Sequence, residues 1–257
     1  MSADYASTVL AKGPVGYWRL GEATGPTAAD LSGKGHDGTY LVTPTYGQRP
    51  GAIAGDPTTA VKCDCHLYVE VPSSPDFSQP TSRQGLTVET WLRPDLLEFP
   101  AQTDPSGDRY VHWLGKGDAG QYEWGLRFYP LSSSRPNRVS AYIWTPGEVK
   151  GAGAYFQDVL TAGEWMHVVA CYDPGDRNTP GAGVSIYKNG QLQRGPSSDP
   201  GALYSSYQIV PTPGAAPLRL GTRDLRSFLF GALDEVAIYP RVLTAQEVLD
   251  NYNAGIS

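Results

Sequence analysis

The segment Leu86-Thr87-Val88-Glu89-Thr90-Trp91-Leu92-Arg93 changes character at every second position, and this period constrains the fold more than any other feature of the chain. Successive side chains of a strand point to opposite faces, so Leu86, Val88, Thr90 and Leu92 share one face. Thr87, Glu89, Trp91 and Arg93 share the other, which is amphipathic rather than plain core. Comparable short runs lie over residues 15–20, 67–71, 109–116, 122–129, 138–145, 165–172, 184–187, 218–221 and 232–239. Gly and Pro punctuate them, and the chain holds 30 and 22 of these. Many breaks between short apolar runs mean many turns, and so many strands. Lys188-Asn189-Gly190-Gln191 is a hairpin signal, because Asn-Gly accepts the positive φ angles of a type I′ turn.

The ends differ from the middle. Residues 2–10 have a weak helical spacing with Asp4 as cap, halted at Gly13-Pro14. At the C-terminus Thr244 and Glu247 form a capping box, and Leu243 and Val248 sit where a hydrophobic staple needs them. Gly255 is placed to stop that helix. No repeat or linker divides the chain, so residues 1–257 read as one domain, a length ordinary for a single sandwich. Residues 96–108 and 195–213 read as long surface loops.

Composition excludes several functions. The formal net charge is −6 and no basic cluster is present, which argues against nucleic acid as a partner. No apolar run is long enough to insert in a membrane. The start, Met-Ser-Ala-Asp-Tyr, lacks the basic and apolar regions of a signal peptide. The three cysteines Cys63, Cys65 and Cys171 do not make a disulfide framework. A bridge to Cys171 and buried free thiols both stay open. Cys63-Asp64-Cys65-His66 is spaced too tightly for a zinc pair. The nucleophile elbow, the H-E-x-x-H helix and the phosphate loop are all missing. Asp234 and Glu235 are neighbours, so they point to opposite faces and cannot flank a glycosidic bond.

Several segments taken in order resemble the laminin-G-like jelly-roll family, in its bacterial and phage-associated branch. They are Val15-Gly16-Tyr17-Trp18-Arg19-Leu20-Gly21-Glu22, Asp30-Leu31-Ser32-Gly33-Lys34-Gly35-His36-Asp37-Gly38 and Tyr68-Val69-Glu70-Val71-Pro72. The 86–93 strand, Glu164-Trp165-Met166-His167-Val168-Val169-Ala170, Tyr187-Lys188-Asn189-Gly190 and Gly231-Ala232-Leu233-Asp234-Glu235-Val236 complete the set. The resemblance implies an all-β fold: a two-sheet antiparallel jelly-roll sandwich with one short C-terminal helix. It implies function only loosely, because this fold hosts lectins, adhesion modules and enzymes.

Two candidate sites follow. The turn-rich loop holding Asp30, Gly33 and His36 offers oxygen ligands for Ca2+. The resemblance implies that Asp234 joins it, pinning the N-terminal segment to a C-terminal strand. The alternative is that Asp30 organises an Asx-type turn and Asp234 takes a backbone hydrogen bond. The second candidate is an aromatic and charged sheet face, where rings stack on sugars and Arg reads hydroxyls. Its expected residues are Trp144, Tyr142, Trp124, Tyr155 and Arg127, while Trp18, Trp91 and Trp165 read as scaffold. The expected function is a non-catalytic carbohydrate-binding or adhesion module, extracellular, on a cell surface or on a virion, whose partner is a glycan or a surface protein. One alternative is a polysaccharide lyase or hydrolase using His112, Tyr110 and Arg127; glycosidases on this scaffold carry Glu-x-Asp-x-x-Glu, which is absent here. The other is an assembly module of a phage tail or surface complex.

Overall fold

The 86–93 segment is a strand, and it runs through the middle of a sheet. The computed structural model describes residues 4–42, 45–48, 50–64, 66–78, 85–103, 107–118, 120–144, 151–174, 183–193, 202–203 and 213–257. In chain order the elements begin with α1 (Tyr5–Leu10), β1 (Gly16–Trp18), β2 (Thr27–Ala28), β3 (Gly38–Leu41), β4 (Thr45–Gln48), β5 (Ala60–Asp64) and β6 (Tyr68–Val71). They continue with β7 (Leu86–Pro94), β8 (Gln102–Thr103), β9 (Arg109–Lys116), β10 (Trp124–Phe128), β11 (Arg138–Trp144), β12 (Gly151–Gln157) and β13 (Met166–Asp173). The last are β14 (Gly183–Lys188), β15 (Gln191–Gln193), β16 (Ala202–Leu203), β17 (Leu218–Leu220), β18 (Phe230–Tyr239) and α2 (Ala245–Ile256).

These strands make two sheets. The eight-stranded sheet runs β15-β14-β13-β7-β18-β5-β4, with β1 also on β18. The ten-stranded sheet runs β16-β12-β11-β10-β9-β17-β6-β3-β2, with β8 on β9. Every pairing among the described strands is antiparallel. Chain start meets chain end where Tyr17 pairs with Ala237. Asn189 and Gly190 take φ of 51° and 75° between Lys188 and Gln191, as their turn type requires.

Alternation fills the space between the sheets. Leu86, Val88 and Leu92 of β7 meet Trp113, Trp124, Leu126, Phe128, Ala141 and Ile143 from the other sheet in one buried cluster. Cys63 lies in that cluster and Cys171 in another, both as free thiols, and burial pushes them up to about 12 and about 11 respectively. Cys65 lies outside the described residues.

The second cluster lies on the outer face of the eight-stranded sheet, where α1 and α2 cover Trp91, Val169, Tyr187 and Tyr239. Asp4 caps α1 by accepting from Ser7 N at 2.7 Å. The capping box of Thr244 and Glu247 starts α2, and Leu243 and Val248 are buried together. Gly255 does not stop that helix, which runs on to Ile256. It is glycine for another reason: a Cβ there would sit 2.5 Å from Trp91 Cζ2, so the helix could not approach the sheet.

Under the helices lies one buried carboxylate. Glu89 is wholly buried and accepts from Tyr5 Oη at 3.0 Å, Tyr239 Oη at 2.7 Å and Asn251 Nδ2 at 2.7 Å. His167 Nε2 stands 2.8 Å from the same carboxylate, and donates to it because an ionised carboxylate only accepts. Burial acts to raise the Glu89 pKa, yet the His167 contact, Tyr239 and Asn251 outweigh it and hold it below the usual range. Removing one partner of a buried polar set strands the others, at roughly 3–5 kcal/mol. Glu89→Ala is therefore expected to lower stability by about that amount, read as a reduced midpoint in urea unfolding.

Candidate functional site

The outer face of the ten-stranded sheet is built by the same alternation. On β11 the residues Val139, Ala141 and Ile143 face inward, so Arg138, Ser140, Tyr142 and Trp144 face outward. On β10 Trp124, Leu126 and Phe128 face inward and Arg127 outward. Tyr110 and His112 come from β9, Tyr155 and Gln157 from β12. Arg223 and Asp224 follow β17 on the loop into β18. Both helices lie on the other sheet, so among the described residues no helix covers this face.

Rings and guanidinium groups interleave there. The Arg127 guanidinium carbon lies 4.5 Å from the ring centre of Tyr110, 4.3 Å from that of Tyr142 and 5.2 Å from that of Trp144. Arg223 lies 4.4 Å from Tyr122 and 5.2 Å from Trp144. Arg138 lies 3.9 Å over Tyr155 and is held by Gln157 Oε1 at 3.0 Å. Tyr142 and Trp144 stack at 5.7 Å. Exposure is 6% for Tyr142 and 7% for Trp144 and Tyr155, so only a small part of each ring reaches solvent.

A chain of hydrogen bonds orients Arg127. Its Nε–H donates to His112 Nε2 at 3.0 Å. The ring proton is therefore on Nδ1, which donates to Asp224 Oδ2 at 3.0 Å. Burial, then the charge of Arg223, push His112 down to about 3, so the ring is neutral at physiological pH. Burial works to raise Asp224, but the His112 hydrogen bond and the Arg223 charge outweigh it and keep the carboxylate ionised.

The structure thus brings together Tyr142, Trp144 and Arg127, with Tyr155 alongside on the next strand. Trp124 does not join them. It is fully buried between the sheets, where Nε1 donates to Phe77 O at 2.7 Å. Parity shows why: Trp124 is in step with Leu126 and Phe128. Glu89 and Trp91 share a face as expected, but on the opposite sheet and under the helices. Arg223, Asp224 and Arg138 belong to the face and were not anticipated. Arg223 and Asp224 lie beyond a strand end, where periodicity carries no signal, and Arg138 opens a strand after a turn.

The four residues considered for calcium are not assembled into one oxygen cage. Asp30 Oδ1 accepts from Tyr17 N and Ser32 N, each at 2.9 Å. Asp30 Oδ2 accepts from Ser32 Oγ at 2.8 Å and His36 N at 2.9 Å. A carboxylate ringed by N–H and O–H donors is a turn organiser, and those donors repel a cation. Gly33 turns the same loop with φ of 77°. The His36 ring faces Asp76 at 3.0 Å. Asp234 lies elsewhere, opposite Trp91, and accepts from Ala52 N at 2.8 Å. Among the described residues no group of three or more His, Cys, Asp and Glu is arranged to hold a metal ion.

Asp234 and Glu235 are both fully buried, at a bulge where Glu235 has φ of 53°. Glu235 is met by Arg19 Nε at 2.8 Å and by Tyr17 Oη. Among the described residues Asp234 has no ion-pair partner, and its Oδ1 has no hydrogen-bond partner. Burial, then Glu235, push Asp234 well above the usual carboxylate range; burial pushes Glu235 up to about 6 against the pull of Arg19.

Two antiparallel sheets, one sealed by terminal helices and the other carrying this face, define a lectin-type jelly roll. A laminin G family model, of the concanavalin A-like lectin/glucanases superfamily, matches residues 66–249, and the chain belongs to that family. Comparison with curated proteins by sequence finds no match. Among solved structures, domain 4 of an extracellular arabinanase from Geobacillus stearothermophilus, in complex with arabinotriose, is similar with a TM-score of 0.59. It is 18% identical, over 93% of this chain and 98% of that one. The binding domain of botulinum neurotoxin DC, in complex with rat synaptotagmin II, gives 0.64 at 10% identity, over 94% of this chain and 52% of that one. The binding domain of Paraclostridial Mosquitocidal Protein 1 gives 0.61 at 16%, over 95% and 53%. The chain thus spans about half the length of these toxin binding domains. At such identities the likeness is one of fold.

Two measurements test these charge assignments. A carboxyl raised by folding stays protonated while the unfolded chain ionises, so stability is lost as pH rises above about 4. Asp234→Asn keeps an acceptor for Ala52 and removes the group whose ionisation favours the unfolded chain. It is expected to melt roughly 2–4 °C above the wild type near pH 7.5, a gap that closes near pH 4. Chelator is expected to leave the wild-type melting temperature unchanged, whereas stripping an ion bound only by the folded state would lower it.

Proposed function

We propose that the protein is a non-catalytic carbohydrate-binding module that takes its glycan on the outer face of the ten-stranded sheet. The observation that carries this is the cluster of Arg127, Tyr142 and Trp144, flanked by Tyr110 and Arg223, on the face without helices. Aromatic edges offer apolar contact to a pyranose, and guanidinium donors read its oxygens. The arabinotriose held by the similarly folded arabinanase domain supports the reading. Such a module works outside the cell, on a cell surface or on a virion, and its partner is a glycan or a glycosylated surface protein. Among the described residues no helix is long and apolar enough to cross a membrane.

The convergence of Tyr110, His112 and Arg127 is what an enzymatic reading would draw on. Its chemistry points the other way. A general base needs a free lone pair at the proton it abstracts. Nε2 of His112 already accepts from Arg127, and Nδ1 carries the proton given to Asp224. Asp224 is itself engaged by His112 and by Ser227, so among the described residues of this face no pair of carboxylates stands ready across a bond.

Trp144→Ala should weaken binding of the glycan captured on an array by at least about tenfold, the mark of an aromatic anchor. Trp124→Ala should instead cost about 3–5 kcal/mol of stability through a core cavity. Titration and thermal melts of the two variants separate these effects. Unchanged affinity of Trp144→Ala for a captured glycan would move the site elsewhere.

A further inference from the structure

We infer that the glycan is acidic, and that Arg127 holds its oxyanion through the two terminal amino groups of the guanidinium. This rests on the glycan reading and names the substrate class for the same face.

Arginines on this fold are commonly paired. Arg93 meets Asp95 at 2.9 Å, Arg219 meets Asp118 at 2.7 Å and Arg223 meets Asp224 at 3.5 Å. Among the described residues Arg127 meets no carboxylate. Its one hydrogen bond uses Nε and goes to a neutral imidazole. Among the described residues its two Nη groups have no hydrogen-bond partner, and they are not among the buried unpartnered atoms. The fork is nonetheless immobilised, between three ring centres at 4.3–5.2 Å and by the Asp224–His112 support behind it. A fixed planar fork with parallel free donors suits a carboxylate or sulfate, which accepts two N–H bonds side by side.

Local charge agrees. Among the described residues Arg127, Arg138 and Arg223 stand with one carboxylate, Asp224, on a chain whose net charge is −6. The concentration of cations is thus a property of this face and not of the protein at large. The rings add to the case by what they lack. Guanidinium groups already lie over these rings, so the groups left to grip a ligand are the arginine donors. Ser140 lies between Arg127 and Tyr155 in strand register, and its buried Oγ also has no partner. A neutral sugar would offer Arg127 only hydroxyls, whereas an oxyanion gives charge-assisted bonds roughly twice as strong.

The shared chemistry is an oxyanion on a sugar, and its two sources are a uronate carboxylate and a sulfate ester. Calorimetric titration of the full chain with trigalacturonate, its methyl ester and a sulfated galacto-oligosaccharide distinguishes them. One acidic probe should bind at least about tenfold tighter than the ester, with a preference that shrinks as salt rises from about 50 to about 500 mM. Arg127→Gln should erase the preference, and Arg127→Lys, which keeps the charge but loses the fork, should restore only part of it. If Arg127→Gln does not fold, the wild-type comparison of acid with ester decides alone. Equal affinity for acid and ester overturns the inference and leaves glycan binding standing. Capture of neutral glycans without either acidic probe does the same. Failure to bind any glycan overturns the underlying function with it.

Discussion

The architecture turns on Glu89, a carboxylate with no access to water that still holds its charge. An ion in such a place is tolerable only when donors surround it. Its donors come from α1 (Tyr5), β13 (His167), β18 (Tyr239) and α2 (Asn251). The helices are therefore not free to slide: Tyr5 and Asn251 must reach one point, and Trp91 then fills the space against Tyr5 and Tyr252. Apolar packing alone would hold the helices on the sheet, but it would not choose their place. Because both helices are committed to this sheet, the outer face of the other carries no helix among the described residues.

Asp234 and Glu235 act in the same way at the seam where the chain closes on itself. Glu235 reaches Arg19 and Tyr17 next to the β1 pairing, and Arg19 continues to Asp56 at 2.7 Å. Asp234 fastens Ala52. Asp30 ties its own loop to Tyr17. Acidic residues that a motif reading gathers around an ion are thus distributed, each stapling a different loop to the strand pair. Burial of two adjacent carboxyls at a bulge is costly at neutral pH, and only one of them has a cation to offset it.

Much of this was legible in the sequence, and what was not has physical reasons. Period-two alternation located β7, β9, β11, β13 and β18, and Asn189-Gly190 located a hairpin. The Thr244–Glu247 box located α2. Alternation says which residues share a face, but not which sheet the face belongs to. That is why the amphipathic face of Glu89 and Trp91 could not be told apart from the face of Tyr142, although a whole sandwich separates them. Gly151, Ala152, Gly153 and Ala154 of β12 carry no strand propensity and take their structure from pairing with β11. Gly255 looked like a helix stop, because a sequence shows φ preference and not the ring that will press against a missing side chain. Of the site, the rings and Arg127 were readable, but their partners Arg223 and Asp224 arrive from a loop that only the fold brings near.

The two faces of the molecule use polar groups in opposite ways. Beneath the helices one anion is surrounded by donors until nothing more can bind it. On the face where no helix lies among the described residues, a cation is surrounded by π-systems, which steady it without neutralising it. An acidic partner would cancel the charge of Arg127; rings and a neutral histidine leave it whole. The tautomer of His112 is what makes this possible, since a protonated ring would repel the guanidinium and an ionised carboxylate in its place would quench it. Asp224, one step removed, fixes that tautomer while sharing its own charge with Arg223. Among the described residues the arrangement keeps a positive, rigid donor pair unspent on an acidic protein, and it is this charge, left whole, on which the proposed recognition of an anion rests.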